Sequence, residues 1–328
     1  MMMMNVQAEN SRAVQATHRA MGTVMTHKAT GLYAQDSLYA VCTEIARLEG
    51  LLSRFLPGSD IGRVNGSAGV KGEKVSRETL DVLSQAVEFS RRFPGCFDVT
   101  IGPLVTLWKQ GKESGAQPDA SSIRQLLPLV NYRDLTLDPR KVTAGLRNAG
   151  QSVDLGGIGK GFAADRIVEI FNRFRISSAF SNLGGNVVTV GTKPDGAPWQ
   201  IGIQHPRQES SLIGSVAVVN QTVVTSGDYQ RYFTDGQGKR RHHILDPTTG
   251  YPAESGLISV TIVTGRSAAA DPLSTIVFVA GMEKGCQFLK SFPDTEAILV
   301  DADMRVFVTK GLRDRFQAAE GVAVTILD

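Results

Sequence analysis

Asp154-Leu155-Gly156-Gly157-Ile158-Gly159-Lys160-Gly161 runs straight into a helical pattern and is the most informative stretch of the chain. Its glycines, lysine and aspartate sit at a strand-to-helix junction. The first amides of a helix lack partners within the helix, so such a junction can hold a phosphate through backbone N–H groups. Glycine lets the backbone approach a ligand closely, and Lys160 adds positive charge. A cradle for a phosphorylated ligand is the first expectation; a tight turn with close strand–helix packing is the plain alternative.

Two familiar phosphate motifs fail here. A Walker loop needs Gly-x-x-x-x-Gly-Lys-Ser/Thr, but Gly161 follows Gly159-Lys160 and Asp154 stands at the first glycine. The dinucleotide fingerprint Gly-x-Gly-x-x-Gly read from Gly157 meets Phe162 at its third glycine. Read from Gly159 it meets a tolerated Ala164, but no acidic residue follows at the ribose-binding distance in a βαβ setting.

At 328 residues and 42% hydrophobic content, the chain can bury one large core or two smaller ones. A net charge of +3 with 7% aromatics gives no argument for nucleic acid. Cys42, Cys96 and Cys286 have no metal-type spacing and cannot all pair, so no disulfide framework is implied. The residues before Met21 are polar after four methionines and lack the apolar core of a secretory signal; no later run reaches transmembrane length. Residues 1–20 read as a flexible tail and 21–328 as the folded unit. The expected compartment is the cytoplasm, with the periplasm as the alternative if an export signal has been trimmed.

Periodicity supplies the architecture. Leu38, Val41, Ile45, Leu48, Leu52 and Phe55 recur at helical spacing over Asp36–Phe55, and Leu80, Leu83 and Val87 do so over Arg77–Phe93, with Ser76 as N-cap. The spacing predicts an extended Phe97–Val105 and then a polar loop from Lys109 to Asp119. Short strands are expected at Leu135–Leu137 and Ser152–Leu155. A helix follows, with Ala163, Ile167, Ile170, Phe171 and Phe174 on one face. Downstream the period falls to two, predicting strands at Asn186–Val190, Gln200–Ile203, Ser215–Val224 and Ser259–Val263. Helices at Pro272–Ala280 and Glu283–Phe292 and a hairpin through Ile298–Val300 and Arg305–Val308 complete an α+β chain rich in hairpins. Nothing reads as a linker or repeat, so one unit of at most two lobes is expected.

Several runs could carry chemistry. In Ala270-Asp271-Pro272-Leu273-Ser274-Thr275, Asp271 reads as an N-cap and Pro272 as a first helical residue. Asp271 and Thr275 are also four apart, so a carboxylate and a hydroxyl can converge as the hard oxygen donors Mg²⁺ prefers. In His242–Pro252, the Asp246-Pro247-x-x-Gly250 run is an ordinary turn. His243 could be a base, a phosphate ligand or a solvated surface residue. Ser226–Tyr229 and Asn182–Asn186 are glycine-containing loops, and Phe97–Pro103 offers an aromatic face and a carboxylate.

Taken in order, these pieces resemble the ApbE family of FAD:protein FMN transferases. The matching stretches are Met21-Gly22-Thr23, Leu52-Ser53-Arg54-Phe55, Phe97–Pro103 with Leu107-Trp108, Asp154–Gly161, Asn182–Asn186, Ser226–Tyr229, His243–Gly250 and Ala270–Thr275. The resemblance implies an ApbE/T-fold-like α+β fold of antiparallel sheets with packed helices and an FAD cleft between lobes. It implies Mg²⁺-dependent transfer of FMN from FAD, as substrate, to a Ser or Thr hydroxyl of an acceptor flavoprotein, with AMP released. By position, Gly157, Asp271 and Thr275 would ligate Mg²⁺, Gly157 through its carbonyl. Met21, Phe55, Cys96, Phe97, Asp98, Asp154, Lys160 and His243 would line the FAD site. His243 would activate the acceptor hydroxyl, with Asp246 as its partner. Phe55 stands where the family pattern has Tyr, Pro272 where Ala is usual, and Gly159 where Ala is common. The alternatives are an FAD pyrophosphatase giving FMN and AMP, and a non-enzymatic FAD-binding or flavin-delivery protein.

Overall fold

The computed structural model describes residues 13–327. A hairpin, β1 (Ala13–Ala20) and β2 (Thr23–Thr30), leads into α1 (Ala34–Leu52), α2 (Asp60–Gly66), the short β3 (Glu73–Lys74) and α3 (Arg77–Arg92). Next come α4 (Gly102–Ser114), α5 (Ala120–Leu126), β4 (Leu135–Asp138), β5 (Thr143–Leu146) and α6 (Gly159–Arg173). Seven strands follow: β6 (Ser178–Leu183), β7 (Asn186–Gly191), β8 (Trp199–Gln204), β9 (Leu212–Val218), β10 (Thr222–Gly227), β11 (Tyr232–Thr234) and β12 (Arg240–His242). The chain closes with β13 (Leu257–Thr264), α7 (Ser267–Ala280), α8 (Met282–Leu289), β14 (Glu296–Asp301), β15 (Val306–Thr309), β16 (Phe316–Ala318) and β17 (Val324–Leu327).

A nine-stranded sheet, in the order β1-β2-β6-β7-β10-β13-β14-β15-β17, joins the two ends of the chain. Every adjacent pair is antiparallel except β15–β17. Alternate side chains go to opposite faces. Val188, Val224, Ile262 and Leu299 join the helical side with α1, α6 and α7, while Val187, Val223, Val263 and Ile298 meet Ile201, Ile203 and Val216 of the small sheet β16-β9-β8. Both faces of the sheet are therefore covered, and β13 is buried along its whole length. A third cluster, Leu104, Trp108, Ile123 and Leu245, seats α4 and α5 on the loop before β13, where Trp108 Nε1 donates to Gly250 O at 2.7 Å.

The expected α+β architecture of antiparallel sheets with packed helices is present, with four local corrections. The tail expectation overreaches: residues 13–20 form β1, paired in register with β2, while residues 1–12 lie outside the described residues. Phe97–Val105 is not extended, because Pro103 opens α4, which runs to Ser114 through the expected polar loop. The expected strand Ser152–Leu155 contributes only the single bridge Ile101–Ser152. Ser215–Val224 is two strands in different sheets, broken where Asn220 takes φ +52°.

Candidate functional site

The glycine loop is anchored before it reaches α6. Asn65 clamps Val153, accepting from its N–H at 2.7 Å and donating to its carbonyl at 3.0 Å. Arg54 then donates to Asp154 Oδ2 at 2.6 Å, to Thr106 Oγ1 at 2.6 Å and to the Gly102 carbonyl at 3.1 Å. The other oxygen of Asp154 accepts from Gly156 N–H at 2.7 Å. Both carboxylate oxygens are thus engaged in shaping the loop, and Asp154 acts as its scaffold.

The loop delivers α6 against α7, and this seam gathers the expected ligands. Asp165 on α6 accepts from the N–H groups of Ser267 and Ala268 at 2.8 and 3.1 Å, so α7 is capped from the neighbouring helix and starts earlier than expected. Asp271 and Pro272 accordingly sit one turn inside α7, not at its N-cap and first position. Freed from capping, Asp271 is 4% exposed and turns toward α6, where its Oδ2 accepts from Gly161 N–H at 2.9 Å. A side chain at Gly161 would lie 2.2 Å from the Ser267 carbonyl oxygen and 2.7 Å from Asp271 Cβ, so only glycine permits this approach.

Among the described residues, Asp271 Oδ1 faces only the Lys160 ammonium, at 3.7 Å, too long for a hydrogen bond. One oxygen of the Asp271 carboxylate thus accepts no hydrogen bond and, with only an ammonium beside it, is available to a cation. Thr275 lies one turn further along α7, its Oγ1 3.4 Å from Ser226 Oγ. Ser226 Oγ also meets Ser274 Oγ at 2.8 Å, and Ser274 donates to the Asp271 carbonyl at 2.8 Å, fixing that turn of the helix. Gly157 is wedged between Phe97 and Thr275: a Cβ there would stand 3.1 Å from the Phe97 ring and 3.6 Å from Thr275 Oγ1. Carboxylate, hydroxyl and loop backbone therefore meet as a hard-oxygen donor set, which fits Mg²⁺.

The remaining expected residues sit in different environments. Phe97, against Gly157 of the loop, and its neighbour Cys96 are almost fully buried, and burial raises the Cys96 thiol pKa. Asp98 is spent on local structure, accepting from Thr100 N–H and hydroxyl at 2.9 and 2.6 Å and from Tyr132 N–H at 3.0 Å; burial pushes its carboxyl up. Phe55 is 68% exposed, with the Arg54 guanidinium 5.5 Å and the Lys109 ammonium 5.1 Å from its ring centroid. An exposed aromatic face flanked by cations suits a planar or anionic ligand.

Met21 occupies the β1–β2 turn at φ +47°, its N–H donating to Glu49 Oε1 at 2.8 Å. The neighbouring Gly22 carbonyl accepts from Arg231 at 3.2 Å, and Arg231 is also among the charges acting on His243. His243 is exposed at the surface, yet protein atoms crowd around its ring. That loss of hydration, with the charges of Arg231, His242 and Lys160, holds its pKa well below the usual histidine value. The ring is therefore neutral at physiological pH and able to accept a proton. Asp246 does not pair with it. Its Oδ1 closes a turn, accepting from Thr248 N–H at 2.7 Å, Thr248 hydroxyl at 2.6 Å and Thr249 N–H at 3.3 Å.

Arg54, Ser226, Ser274 and Arg231 emerge as site residues without an assigned role in the sequence reading. Arg54, Ser226 and Ser274 lie inside the motif stretches, so position could have flagged them, whereas Asn65 and Asp165 carry no local signal. An open hollow along the later turns of α6, lined by Tyr39, Arg47, Arg166 and Arg173, lies away from this constellation.

The sequence and the fold have counterparts in known proteins. The sequence profile of the ApbE family matches residues 21–299. The FAD:protein FMN transferase of Klebsiella pneumoniae (strain 342) is 38% identical over 288 residues, 87% of this chain and 89% of that protein. That of Treponema pallidum (strain Nichols) is 34% identical over 87% of this chain and 82% of the relative. The crystal structure of the ApbE protein of Thermotoga maritima superposes with a TM-score of 0.85 at 29% identity, covering 93% of this chain and 99% of that one. These matches make the molecule an enzyme of the flavin transferase class. The chain belongs to the ApbE family.

Proposed function

We propose that this enzyme transfers FMN from FAD to a Ser or Thr hydroxyl of an acceptor flavoprotein, in a Mg²⁺-dependent reaction that releases AMP. The observation that carries the reading is the α6–α7 seam, where the free oxygen of buried Asp271, the Thr275 hydroxyl, Gly157 and Lys160 converge. Asp271, Thr275 and the Gly157 carbonyl would hold Mg²⁺, which supplies charge neutralisation on the FAD pyrophosphate. Lys160 adds a cation toward the same phosphates. Phe55, Phe97, Cys96 and Met21 border the flavin side, while Asp154 and Asp98 act indirectly by holding the loops in shape.

The acceptor oxygen attacks the FMN-side phosphorus, the anhydride P–O bond breaks, and AMP leaves with the bridging oxygen. His243, neutral in the cleft, takes the proton of the attacking hydroxyl. The chain's contribution is to position both reactants and to aim fixed positive groups at the phosphates.

Mixing the protein with FAD, Mg²⁺ and a flavoprotein bearing a candidate Ser/Thr segment tests this directly. AMP release together with flavin fluorescence on the acceptor in a denaturing gel is the expected result. AMP and free FMN with an unlabelled acceptor would replace transfer with pyrophosphate hydrolysis, and bound FAD with no AMP would replace it with flavin delivery.

A further inference from the structure

The β1–β2 hairpin carries a side-chain cluster that flavin transfer leaves unused. The ladder pairs Ala16 with His27 and His18 with Met25, so the two imidazoles are diagonal neighbours on one face. Their Nε2 atoms lie 3.0 Å apart, with ring centroids at 5.2 Å. Cys42, on α1, brings its Sγ close: all three ligand atoms fall within 4.8 Å of one another. His27 is fully buried, while His18 and Cys42 are half-buried and leave a route from solvent.

Two features separate this cluster from a chance histidine contact. Two Nε2 atoms at 3.0 Å must share a proton or a cation, since two lone pairs facing each other repel. Behind His27, its Nδ1 meets the buried Ser181 hydroxyl at 2.9 Å, on the strand that pairs His27 with Ser181 in register. Metal-bound histidines typically use their second nitrogen in this way, which fixes the tautomer and leaves Nε2 as the ligand atom. Two imidazoles and a thiolate form a borderline-soft donor set, suited to Zn²⁺ and unsuited to Mg²⁺.

We propose that His18, His27 and Cys42 form a binding site for a thiophilic divalent cation of the Zn²⁺ class, separate from the seam between α6 and α7. Tetrahedral Zn²⁺ with bonds of about 2.0 Å to nitrogen and 2.3 Å to sulfur needs N···N and N···S separations of roughly 3.3 and 3.6 Å. The present spacing reaches these with shifts of about 1 Å, within the range of a side-chain adjustment. On binding, the Cys42 thiol proton passes to solvent, and the proton between the Nε2 atoms is exchanged through solvent to Nδ1 of His18, a change of tautomer that leaves both imidazoles neutral. No electron transfer is involved, and water fills the fourth position. The ion ties the hairpin to α1. The turn of that hairpin is held by Glu49 at Met21 and by Arg231 at Gly22, so the ion fixes a loop that borders the candidate flavin site.

The test uses the full, untagged chain, stripped of metal and kept in excess Mg²⁺, titrated with Co²⁺ and then Zn²⁺. One Co²⁺ per chain is expected, with a near-ultraviolet thiolate-to-cobalt absorption band that Zn²⁺ abolishes. Cys42→Ser should lose the band, and His18→Gln should weaken binding at least tenfold, both with unchanged circular dichroism. Zn²⁺ should raise the thermal midpoint of the parent and leave that of Cys42→Ser unmoved. Absence of the band in the parent, or the same band and affinity in Cys42→Ser, overturns the site. Neither readout depends on flavin transfer, so the two readings stand or fall separately.

Discussion

Replacing Gly161 with alanine tests whether the α6–α7 seam is set by backbone contact. The added Cβ would lie 2.2 Å from the Ser267 carbonyl oxygen, and ordinary contact begins near 3.4 Å, so the helices must part locally by about 1 Å. Overpacking of this kind costs roughly 1–3 kcal/mol. The bond from Gly161 N–H to the Asp271 carboxylate would stretch as well, a loss of roughly 1.5–3 kcal/mol for a charged acceptor. Alanine's better helix propensity returns about 1 kcal/mol. The net expectation is a destabilisation of roughly 1.5–5 kcal/mol in denaturant unfolding. Because Asp271 moves with the seam, FMN transfer should fall by about a hundredfold or more. Gly50→Ala supplies the control: it is an exposed α1 position where a Cβ meets nothing within 4 Å, so it should be neutral or stabilising by up to about 1 kcal/mol. Parental stability and turnover in Gly161→Ala would refute the seam.

Other outcomes follow from the same geometry. Asp271→Asn keeps an acceptor for Gly161 N–H while removing the charge, so stability should change by less than about 1 kcal/mol while Mg²⁺-dependent turnover falls by about 10²–10³-fold; Thr275→Val should fall less, and parental rates for Asp271→Asn would discard the metal assignment. Arg54→Ala leaves the nearly buried Asp154 carboxylate without its cation and should cost about 3 kcal/mol in unfolding free energy, with a loosened loop seen as a higher KM for FAD. The depressed pKa of His243 means that its neutral form persists as pH falls through 6.5, so transfer should hold from pH 8 to 6 and be lost only in more acidic solution; a rate that halves near pH 6.5 would contradict the cation-flanked setting.

Much of this molecule is legible in the chain because its signals are local. Ser76 caps α3 as its sequence indicates, accepting from Thr79 N–H at 3.1 Å, and the apolar stripe of α1 is buried from Leu38 to Leu52, while Phe55, its expected last member, lies beyond the helix and is exposed. The β1 strand was also legible in principle, since Val14, Ala16 and His18 alternate with exposed Gln15, Thr17 and Arg19, but a face so weakly apolar reads as polar tail. The misreadings share a different cause. Asp271-Pro272 has the composition of a helix start, yet the start lies earlier because Asp165, more than a hundred residues away, supplies the cap. Gly102-Pro103 falls inside a segment that reads as extended and instead opens α4. In the site, the pairing of Asp271 with Thr275 was legible from their four-residue spacing and the turn role of Asp246 from its Asp-Pro-x-x-Gly run, whereas the scaffold role of Asp154 depends on Arg54, a hundred residues away, which the fold brings to its carboxylate.

The cap from Asp165 makes α7 a helix whose beginning belongs to another element. Its opening amides are protected only while α6 is docked, so the two helices form a single cooperative unit in native-state hydrogen exchange, with Ser267 and Ala268 exchanging in step with the middle of α6. A fluctuation that lifts α6 would uncap α7 and disperse Asp271, Lys160 and Thr275 together, switching the constellation off as a whole instead of eroding it one ligand at a time.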